Sequence, residues 1–389
     1  MDDDNVYMPK IDFERLSKYS LKKDDILVSV VGTIGNSVII EEENLPAIFS
    51  CKSTVVRVNG INSHYLLTYL NTKFGQSLLH RKERGVVQKG LNPDDLKTFY
   101  IYEAGNIFKK AIAQVYKVTV SVNKSSKTAF GQAEKTLLET LKLADFLPTL
   151  ESVNIKSFKN SFARTGRLDA EYYYSEKEKA LEILNELSDC TVGDLFESIR
   201  KLWHPDKGDF VDRVRNYDLP DAPNLFLDDL KEPVEHTAIA STKKIIQGGN
   251  LVVSRLRAYL KEIAIVKAGD ETLMVASTEF IVLRPKETTT LPVEALLMYL
   301  RSELPQLVFK WSQDGSHHPR FDEGELLRLP VPRALVAHGG NFVEAIQTVV
   351  ALRERANQLL EAAKRAVEIA IEQDETAGMA YLTSEGALE

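Results

Sequence analysis

The chain has 389 residues, of which 44% are hydrophobic and 27% charged, and its formal net charge is −7. This length suits two or three domains, because single hydrophobic cores rarely grow beyond about 250–300 residues. No apolar run reaches the roughly 18 residues of a membrane helix. The acidic start MDDDNVYMPK lacks the apolar stretch of a signal peptide, so we expect a cytoplasmic protein with no membrane contact.

The first predicted elements are three short strands, a helix and a basic loop within residues 1–103. Two strands flank a polar loop in KKDDILVSVVGTIGNSVII (22–40), and STVVRV (53–58) is the third. An amphipathic helix containing Tyr69 follows, and then the basic glycine loop HRKERGVVQKGLN (80–92). A short helix and a final strand near Ile101 complete this first module.

A helical arm is predicted at residues 104–145. Its apolar residues step by three and four, which is heptad spacing: Phe108, Ala111, Val115, Val118 and Val122. We expect the polar stretch Asn123–Lys127 to break this helix as a loop, and GQAEKTLLETLKL (131–143) to form a further amphipathic helix.

Residues 146–338 form a second predicted module that repeats the first. It opens with a helix over SEKEKALEILNEL (175–187), and QGGNLVVSRLRAYLKEIAIV (247–266) and TEFIVLRP (278–285) then match the strands of module one. From the next helix onward the offset is constant, with Tyr69 and Tyr299 230 positions apart, as are Gly85 and Gly315. Roughly 60 residues at the start of module two have no counterpart in module one, which is therefore incomplete.

A second helical arm is predicted at residues 339–373, followed by a flexible tail at 374–389. The arm keeps the same spacing over a long seam: Phe342, Ala345, Val349, Leu352, Ala356, Leu359, Ala363, Ala366 and Ala370. Two such arms at equivalent places in a duplicated chain favour pairing with each other over packing of each arm on its own module.

This pattern resembles the specificity subunit of type I restriction–modification systems, over nearly the whole chain. The motifs that carry the resemblance occur twice or flank module two: Asp25-Ile26-Leu27, Asn250-Leu251-Val252, Gly85-Val86-Val87-Gln88, Gly315-Ser316-His317-His318, RLDAEYY (167–173) and LRLPVP (327–332). The resemblance implies an α+β fold. Two tandem target-recognition domains, each a small mixed or antiparallel β-sheet with helices, would be joined by long helices that form an antiparallel coiled coil.

The resemblance also implies the partners. Double-stranded DNA would be the ligand, and the helices would seat methyltransferase subunits, which bind S-adenosylmethionine, and motor–nuclease subunits, which bind ATP and Mg²⁺. No cofactor is then expected in this chain, and it would not itself be an enzyme. A second copy or a complementing chain could complete module one. The second arm, at ~1.5 Å per residue, would be ~48 Å long, or about 14 base pairs.

Candidate DNA contacts in module two lie in three segments. Arginine can bond guanine O6 and N7 in bidentate fashion, and cations bind phosphates. The loop after the first shared strand offers Ser254, Arg255, Arg257, Tyr259 and Lys261, and the glycine loop offers Lys310, His317, His318 and Arg320. Before them lie Arg200 and Lys201, near Trp203, for which we expect a structural role.

Module one offers a sparser set. The first loop has Ser29, Thr33 and Asn36, and the second has Lys82, Arg84, Gln88 and Lys89. Glutamine suits the N6 and N7 edge of adenine. The alternative interpretation is a solvated surface with structural arginines. For any one residue, the sequence favours neither this interpretation nor DNA contact.

Motifs for catalysis are not found in the sequence. There is no glycine-rich phosphate loop ending in Lys-Ser/Thr, and no Asn-Pro-Pro-aromatic string of an amino-methyltransferase. Cys51 and Cys190 lack metal-ligand spacing and are expected to be buried small hydrophobes, and His317-His318 lack a third ligand. Two other functions stay open: a recognition fragment of a fused adenine methyltransferase, and a scaffold that binds proteins rather than DNA.

Overall fold

A computed structural model describes residues 7–85, 89–143, 153–206, 211–229 and 231–388. The chain forms two compact units, one made of Met1–Ser125 together with Leu352–Glu389, and the other of Ser126–Ala351. Both units contain helices and sheets, which confirms the expected α+β class. Within the described residues no helix is both long and apolar enough to cross a membrane.

Unit 1 contains module one, built around a three-stranded antiparallel sheet of order β2-β1-β3. Its strands are β1 (Ile26–Ser29), β2 (Ser37–Ile39) and β3 (Ser53–Val56), and its helices are α1 (Lys10–Arg15), α2 (Ser63–Leu70), α3 (Lys73–Arg81), α4 (Pro93–Leu96) and the start of α5 (Asn106–Thr140). The alternation in β1 buries Ile26 and Val28, because successive side chains of a strand point to opposite faces.

Unit 2 contains module two, which has three sheets. Its strands are β4 (Ser188–Thr191), β5 (Phe196–Ser198), β6 (Leu202–Trp203), β7 (Arg213–Tyr217), β8 (Val234–Glu235), β9 (Lys243–Ile246), β10 (Leu251–Ser254), β11 (Ile263–Ile265), β12 (Met274–Ser277), β13 (Phe280–Pro285) and β14 (Pro330–Pro332). They form the sheets β11-β10-β13-β5, β6-β9-β12-β7-β8 and β14-β4, and only β12 with β7 is a parallel pair among the described strands.

Seven α-helices belong to the described part of module two. They are α6 (Phe162–Thr165), α7 (Ser175–Leu187), α8 (Val192–Leu195), α9 (Val293–Arg301), α10 (Glu303–Ser312), α11 (Glu323–Leu327) and α12 (Arg333–His338). Helix α7 covers the residues that were predicted from the sequence. Helix α9 is almost entirely buried from Ala295 to Leu300, which explains its nearly continuous apolar sequence.

The two modules repeat one another down to individual hydrogen bonds. The strand order β2-β1-β3 in unit 1 corresponds to β11-β10-β13 in unit 2, with the same antiparallel pairing. Equivalent side chains also bond to equivalent carbonyls: Gln76 Nε2 to Leu70 O (2.8 Å) and Gln306 Nε2 to Leu300 O (2.7 Å), Tyr69 Oη to Tyr100 O (3.0 Å) and Tyr299 Oη to Pro330 O (2.5 Å). The repeat seen in the sequence is therefore a structural duplication.

The final strand predicted for module one near Ile101 is not formed. In unit 2 the equivalent segment, β14, pairs with β4, and β4 belongs to the part of module two that has no counterpart in module one. Without that partner the segment around Ile101 stays irregular, and Tyr100 is 84% exposed. The prediction was wrong because a strand needs a neighbour to bond to.

The two arms pair antiparallel, as expected. Helix α13 spans Asn341–Glu372. In unit 1, Phe108 of α5 shares a core with Ala363 and Ala366 of α13, and in unit 2 Leu137 of α5 shares a core with Ile346. The start of one helix therefore packs on the end of the other, and the alanines of α13 permit close approach.

Two expectations about the arms were wrong. Residues Asn123–Lys127 do not form a loop, since α5 is continuous through them, and the buried Ser126 donates a hydrogen bond to Val349 O of α13 at 3.1 Å. The tail is not entirely flexible either, because Glu375–Ser384 form α14. Asp374 caps this helix at Ala377 N, and Leu382 is fully buried in the core of unit 1.

Candidate nucleic-acid interface

The structure brings together the two basic loops predicted in module two. We call residues 255–262 and 313–322 the module-two loop pair. Backbone hydrogen bonds join the loops, from Arg257 N to Pro319 O (2.9 Å) and from Phe321 N to Arg255 O (3.0 Å). The side chain of Gln313 adds a third link by accepting from Ala258 N at 3.2 Å. Because both loops are fastened to each other, their side chains form one surface.

The conformation of the first loop is unusual at two residues. Arg257 and Lys261 both have φ of 50°, in the left-handed region that non-glycine residues rarely adopt. Arg301 holds the second of these turns by donating to Lys261 O at 2.8 Å. Backbone strain of this kind persists only where surrounding contacts stabilise it, and it is common at binding sites.

A cluster of two arginines around one glutamate lies at the base of the loop pair. Arg255 Nε donates to Glu279 Oε2 at 3.1 Å, and Arg320 Nη2 donates to Glu279 Oε1 at 2.7 Å. Glu279 lies in the turn between β12 and β13. The hydrogen bonds, that from Arg320 first, hold the pKa of Glu279 below its usual value, so the carboxylate is charged between its two guanidinium groups.

Outside this cluster, the loop pair presents two cations and two imidazoles. The Arg257 guanidinium lies 3.4 Å from His318 Nδ1 and 3.5 Å from His317 O, and both histidines are exposed. Lys261 is exposed and, among the described residues, has no carboxylate within ion-pair distance. Tyr259 is 53% exposed, so its ring and hydroxyl are accessible to a ligand.

Two predicted contact residues of module two have mainly internal contacts. Ser254 is 3% exposed and donates to Leu256 O at 3.0 Å, so its hydroxyl closes the turn and cannot reach DNA in this conformation. That prediction was wrong because the serine is the last residue of a fully buried strand. Lys310 is exposed but lies over the Trp311 ring, with Nζ 4.6 Å from the centroid.

The basic segment before β6 lies beside the same surface. Arg200 forms an exposed ion pair with Glu323 at 2.6 Å, and Lys201 is exposed without a carboxylate partner among the described residues. Trp203 is buried in a small core with Val214 and Val275, which agrees with the structural role expected for it. Near these cations lies Lys244, which the sequence analysis missed.

Lys244 is half-buried and donates to Phe280 O at 2.7 Å. Burial lowers its pKa, and it lies close enough to Arg200, Arg255 and Glu323 to interact with their charges. The only signal in the sequence was its place beside Lys243 in a short strand, KKII, that ends in two isoleucines.

Module one has an equivalent loop pair, which we define as residues 30–36 together with the described residues 82–85 and 89–91. Its loops are joined by the backbone bond from Leu91 N to Val30 O at 2.8 Å. Thr33 and Asn36 are exposed, whereas Ser29 is half-buried and donates to Thr33 O. Gln88 lies outside the described residues.

The cations of the module-one loop pair have nearby partners. Arg84 pairs with Asp95 (2.8 Å), Lys89 pairs with Glu83 (2.9 Å), and Lys82 donates weakly to Thr98 at 3.4 Å. The arginine and lysine side chains of the two ion pairs are 67% and 65% exposed. The carboxylates of Asp95 and Glu83 are largely covered, at 16% and 12% exposed, so the exposed cations are the part of each pair that a phosphate can approach.

Among the described residues no group of three or more histidine, cysteine or carboxylate side chains could hold a metal ion. Cys51 is exposed and Cys190 is half-buried. The expectation that both are buried was therefore wrong for Cys51, which lies in the turn just before β3 rather than within a strand.

Comparisons with known proteins agree with the motifs. Residues 8–102 match the family model of the type I restriction modification DNA specificity domain, which agrees with the resemblance seen in the sequence over that part of the chain. The search among curated proteins gave no match.

Three solved structures are similar to this chain. The HsdS subunit from Thermoanaerobacter tengcongensis is 14% identical, with 91% of this chain and 82% of that chain covered and a TM-score of 0.31. The type I restriction–modification system S subunit from M. genitalium is 14% identical, with coverages of 92% and 84% and a TM-score of 0.32. A chain from a study of complex assembly and conformational transition of the type I R-M system is 13% identical, with coverages of 94% and 82% and a TM-score of 0.29. Scores this low do not establish a common overall arrangement.

Proposed function

We propose that this chain, whose residues 8–102 are a type I restriction–modification DNA specificity domain, is the sequence-specific DNA recognition subunit of such a system. Each module would read one half of a bipartite target in double-stranded DNA. The observation that carries the proposal is the match to the specificity domain in module one, joined to the structural duplication that places an equivalent loop pair in module two.

The surface chemistry of the loop pairs supports this function. Recognition of a duplex needs cations for phosphates and planar hydrogen-bonding groups for base edges. Module two offers Arg255, Arg257, Tyr259 and Lys261 on one strained and fastened loop, and module one offers Thr33 and Asn36 beside Arg84 and Lys89. The net charge of −7 limits DNA binding by the chain alone, because affinity for phosphates depends on positive charge.

Catalysis would therefore reside in partner subunits. Methyltransferase subunits would bring S-adenosylmethionine, and motor–nuclease subunits would bring ATP and Mg²⁺. The paired helices α5 and α13 would seat them, since long helical seams offer extended surfaces on both sides. The domain match favours DNA recognition over a protein-binding scaffold. Detachment from a fused adenine methyltransferase is the remaining alternative, and a catalytic domain encoded in frame upstream would identify it.

The test is to map methylated adenines in DNA from cells that express the full chain together with its methyltransferase subunit. We expect a split motif that disappears when the chain is omitted. The double variant Arg255→Ala with Arg257→Ala should lose methylation at that motif. Arg333→Ala is a matched control, because Arg333 forms an exposed ion pair with Asp189 and has no contact with the loop pair. Methylation without sequence preference would contradict the proposal.

A further inference from the structure

We propose that Glu279 is the positioning residue that sets Arg255 to recognise a guanine in the half-site of module two. The inference rests on the proposed function and deepens it, because it assigns a base to one half-site and separate roles to the two arginines around Glu279.

Arg255 is held by only one of its nitrogen atoms. Its Nε donates to Glu279 Oε2 at 3.1 Å, and no described residue accepts a hydrogen bond from either of its Nη groups. The side chain is 41% exposed. Two parallel N–H donors at the end of a guanidinium match the paired acceptors O6 and N7 of guanine, whereas adenine presents one acceptor and one donor there. The free end of Arg255 is therefore suited to guanine.

Arg320 has the opposite arrangement. Its Nε donates to both carboxylate oxygens of Glu279, at 3.1 and 3.0 Å, its Nη2 donates to Oε1 at 2.7 Å, and its Nη1 donates to His318 O at 2.9 Å. All three nitrogen atoms of the guanidinium thus bind within the protein. Arg320 was a candidate for DNA contact, but the structure gives it the role of fixing Glu279 in place.

The backbone fixes the same geometry. Arg255 N donates to Glu279 O at 3.1 Å, and Leu256 pairs with Arg320 in a β-bridge. The three residues are therefore joined by main-chain bonds as well as by their side chains. An Arg255 side chain held in this way loses little conformational entropy when it binds a base, which favours specificity.

Module one lacks this cluster although its backbone is the same. Val30 N donates to Lys52 O at 2.8 Å, as Arg255 N does to Glu279 O, and Val31 pairs with Gly90, as Leu256 does with Arg320. Valine, lysine and glycine thus replace arginine, glutamate and arginine. The guanine preference should belong to the half-site of module two alone, and the other half-site serves as an internal control.

Charge separates a positioning role from a merely structural one. The cluster has two positive groups and one negative group. Glu279→Gln keeps the shape and removes the negative charge, so the charges of the two guanidinium groups are no longer neutralised by a carboxylate and attract phosphates more strongly. We therefore expect this variant to lose discrimination between bases while its binding to unrelated DNA becomes tighter and more dependent on salt. A purely structural role predicts that binding to the selected motif and to unrelated DNA falls together as the fold weakens, with no selective loss of the guanine preference.

The experiment selects bound sequences from a random pool of duplex DNA, using the full chain in complex with its methyltransferase subunit. Wild type is compared with Glu279→Gln, Arg255→Lys and the control Arg333→Ala. We expect the first two variants to lose the guanine preference in one half-site by about 5- to 150-fold, the range of one bidentate contact, while the other half-site is unchanged. Binding of Glu279→Gln to a duplex outside the selected set should have a steeper salt dependence, by about 0.9 in the logarithmic slope for each added phosphate contact.

The outcomes distinguish the two proposals. If wild type selects no motif, the proposed function fails. If wild type selects a split motif and both variants keep every guanine in it, the role of Glu279 and Arg255 is overturned. Thermal unfolding of each variant checks its folding, and if Glu279→Gln is unfolded, Arg255→Lys alone decides the question, since it keeps the charge and removes only the forked donors.

Discussion

Tyr299 and Tyr69 are equivalent residues of the two modules, and they offer a matched test of how burial sets the value of a hydrogen bond. Each donates its hydroxyl hydrogen to a carbonyl oxygen near the end of its own module: Tyr299 to Pro330 O at 2.5 Å, and Tyr69 to Tyr100 O at 3.0 Å. The hydrogen bond of Tyr299 is buried, and Pro330 lies in the buried strand β14, whereas the hydrogen bond of Tyr69 is only part-buried. Water can therefore replace the lost donor more readily at Tyr100 O than at Pro330 O.

The magnitudes follow from this difference. Tyr299→Phe leaves a buried carbonyl without its donor, and we expect the free energy of unfolding to fall by about 1–3 kcal/mol. Tyr69→Phe removes a part-buried hydrogen bond whose acceptor water can partly satisfy, and we expect a smaller loss of about 0.5–1.5 kcal/mol. For units of this size each kcal/mol shifts the melting temperature by roughly 2–4 °C, so the larger change is readily measured.

Differential scanning calorimetry of the full chain measures both variants against wild type. Hydrogen exchange at residues 326–334 and 96–104 shows whether each loss is local to its own module. An equal loss in the two variants, or a larger one in Tyr69→Phe, would refute the argument that exposure of the acceptor decides the cost.

Three further predictions concern other parts of the chain. Gly378→Ala should destabilise unit 1 by about 1–3 kcal/mol, because an added Cβ would lie 2.7 Å from Ala366 O and 2.9 Å from the Phe108 ring. Gly131→Ala, on an open face of α5, should instead stabilise the protein by about 0.5–1 kcal/mol. Urea unfolding of both variants tests this contrast. Burial lowers the pKa of Lys177 from 10.5 to about 8, so between these pH values the unfolded chain binds more protons than the folded one. The free energy of unfolding of wild type should therefore rise relative to that of Lys177→Met as pH rises through this interval, by at most about 3 kcal/mol. If the difference in stability between the two proteins does not change across the interval, this prediction is contradicted. Arg200→Ala should change the melting temperature by less than about 2 °C, because its pair with Glu323 is exposed, and a loss of several degrees would show that the pair is structural.

The parts of the fold that depend on local patterns could be predicted from the sequence. Strand alternation, helical spacing and the constant offset between Tyr69 and Tyr299 are visible along the chain, and helix α7 was placed at its observed residues. The failures involve contacts between distant residues. Ser126 looked like part of a polar loop, and only its bond to Val349, 223 positions away, explains why a small polar residue belongs in the seam.

The candidate site divides in the same way. Composition located both loop pairs, but it could not tell Arg255 from Arg320, since their roles differ only in which nitrogen atoms Glu279 occupies. Glu279 itself was missed. A signal did exist: the strands STVVRV and TEFIVLRP were already aligned, and the residue before the first, Lys52, has the opposite charge to Glu279. A reversal of charge between equivalent positions marks places where the two modules differ in chemistry.

Unit 1 is built from two separate stretches of chain, and this has a consequence for its synthesis. Phe108 and Ile112 share their core with Ala366 of α13 and Leu382 of α14, so that core cannot close until those helices have been made. The 226 residues of Ser126–Ala351 are translated in between, which takes about 11 to 45 s at 5–20 residues per second. All residues of unit 2 have therefore been synthesised before the end of α13 and α14. The module encoded first is therefore the last to complete its core, and its apolar sheet lacks part of its packing partner in the interval.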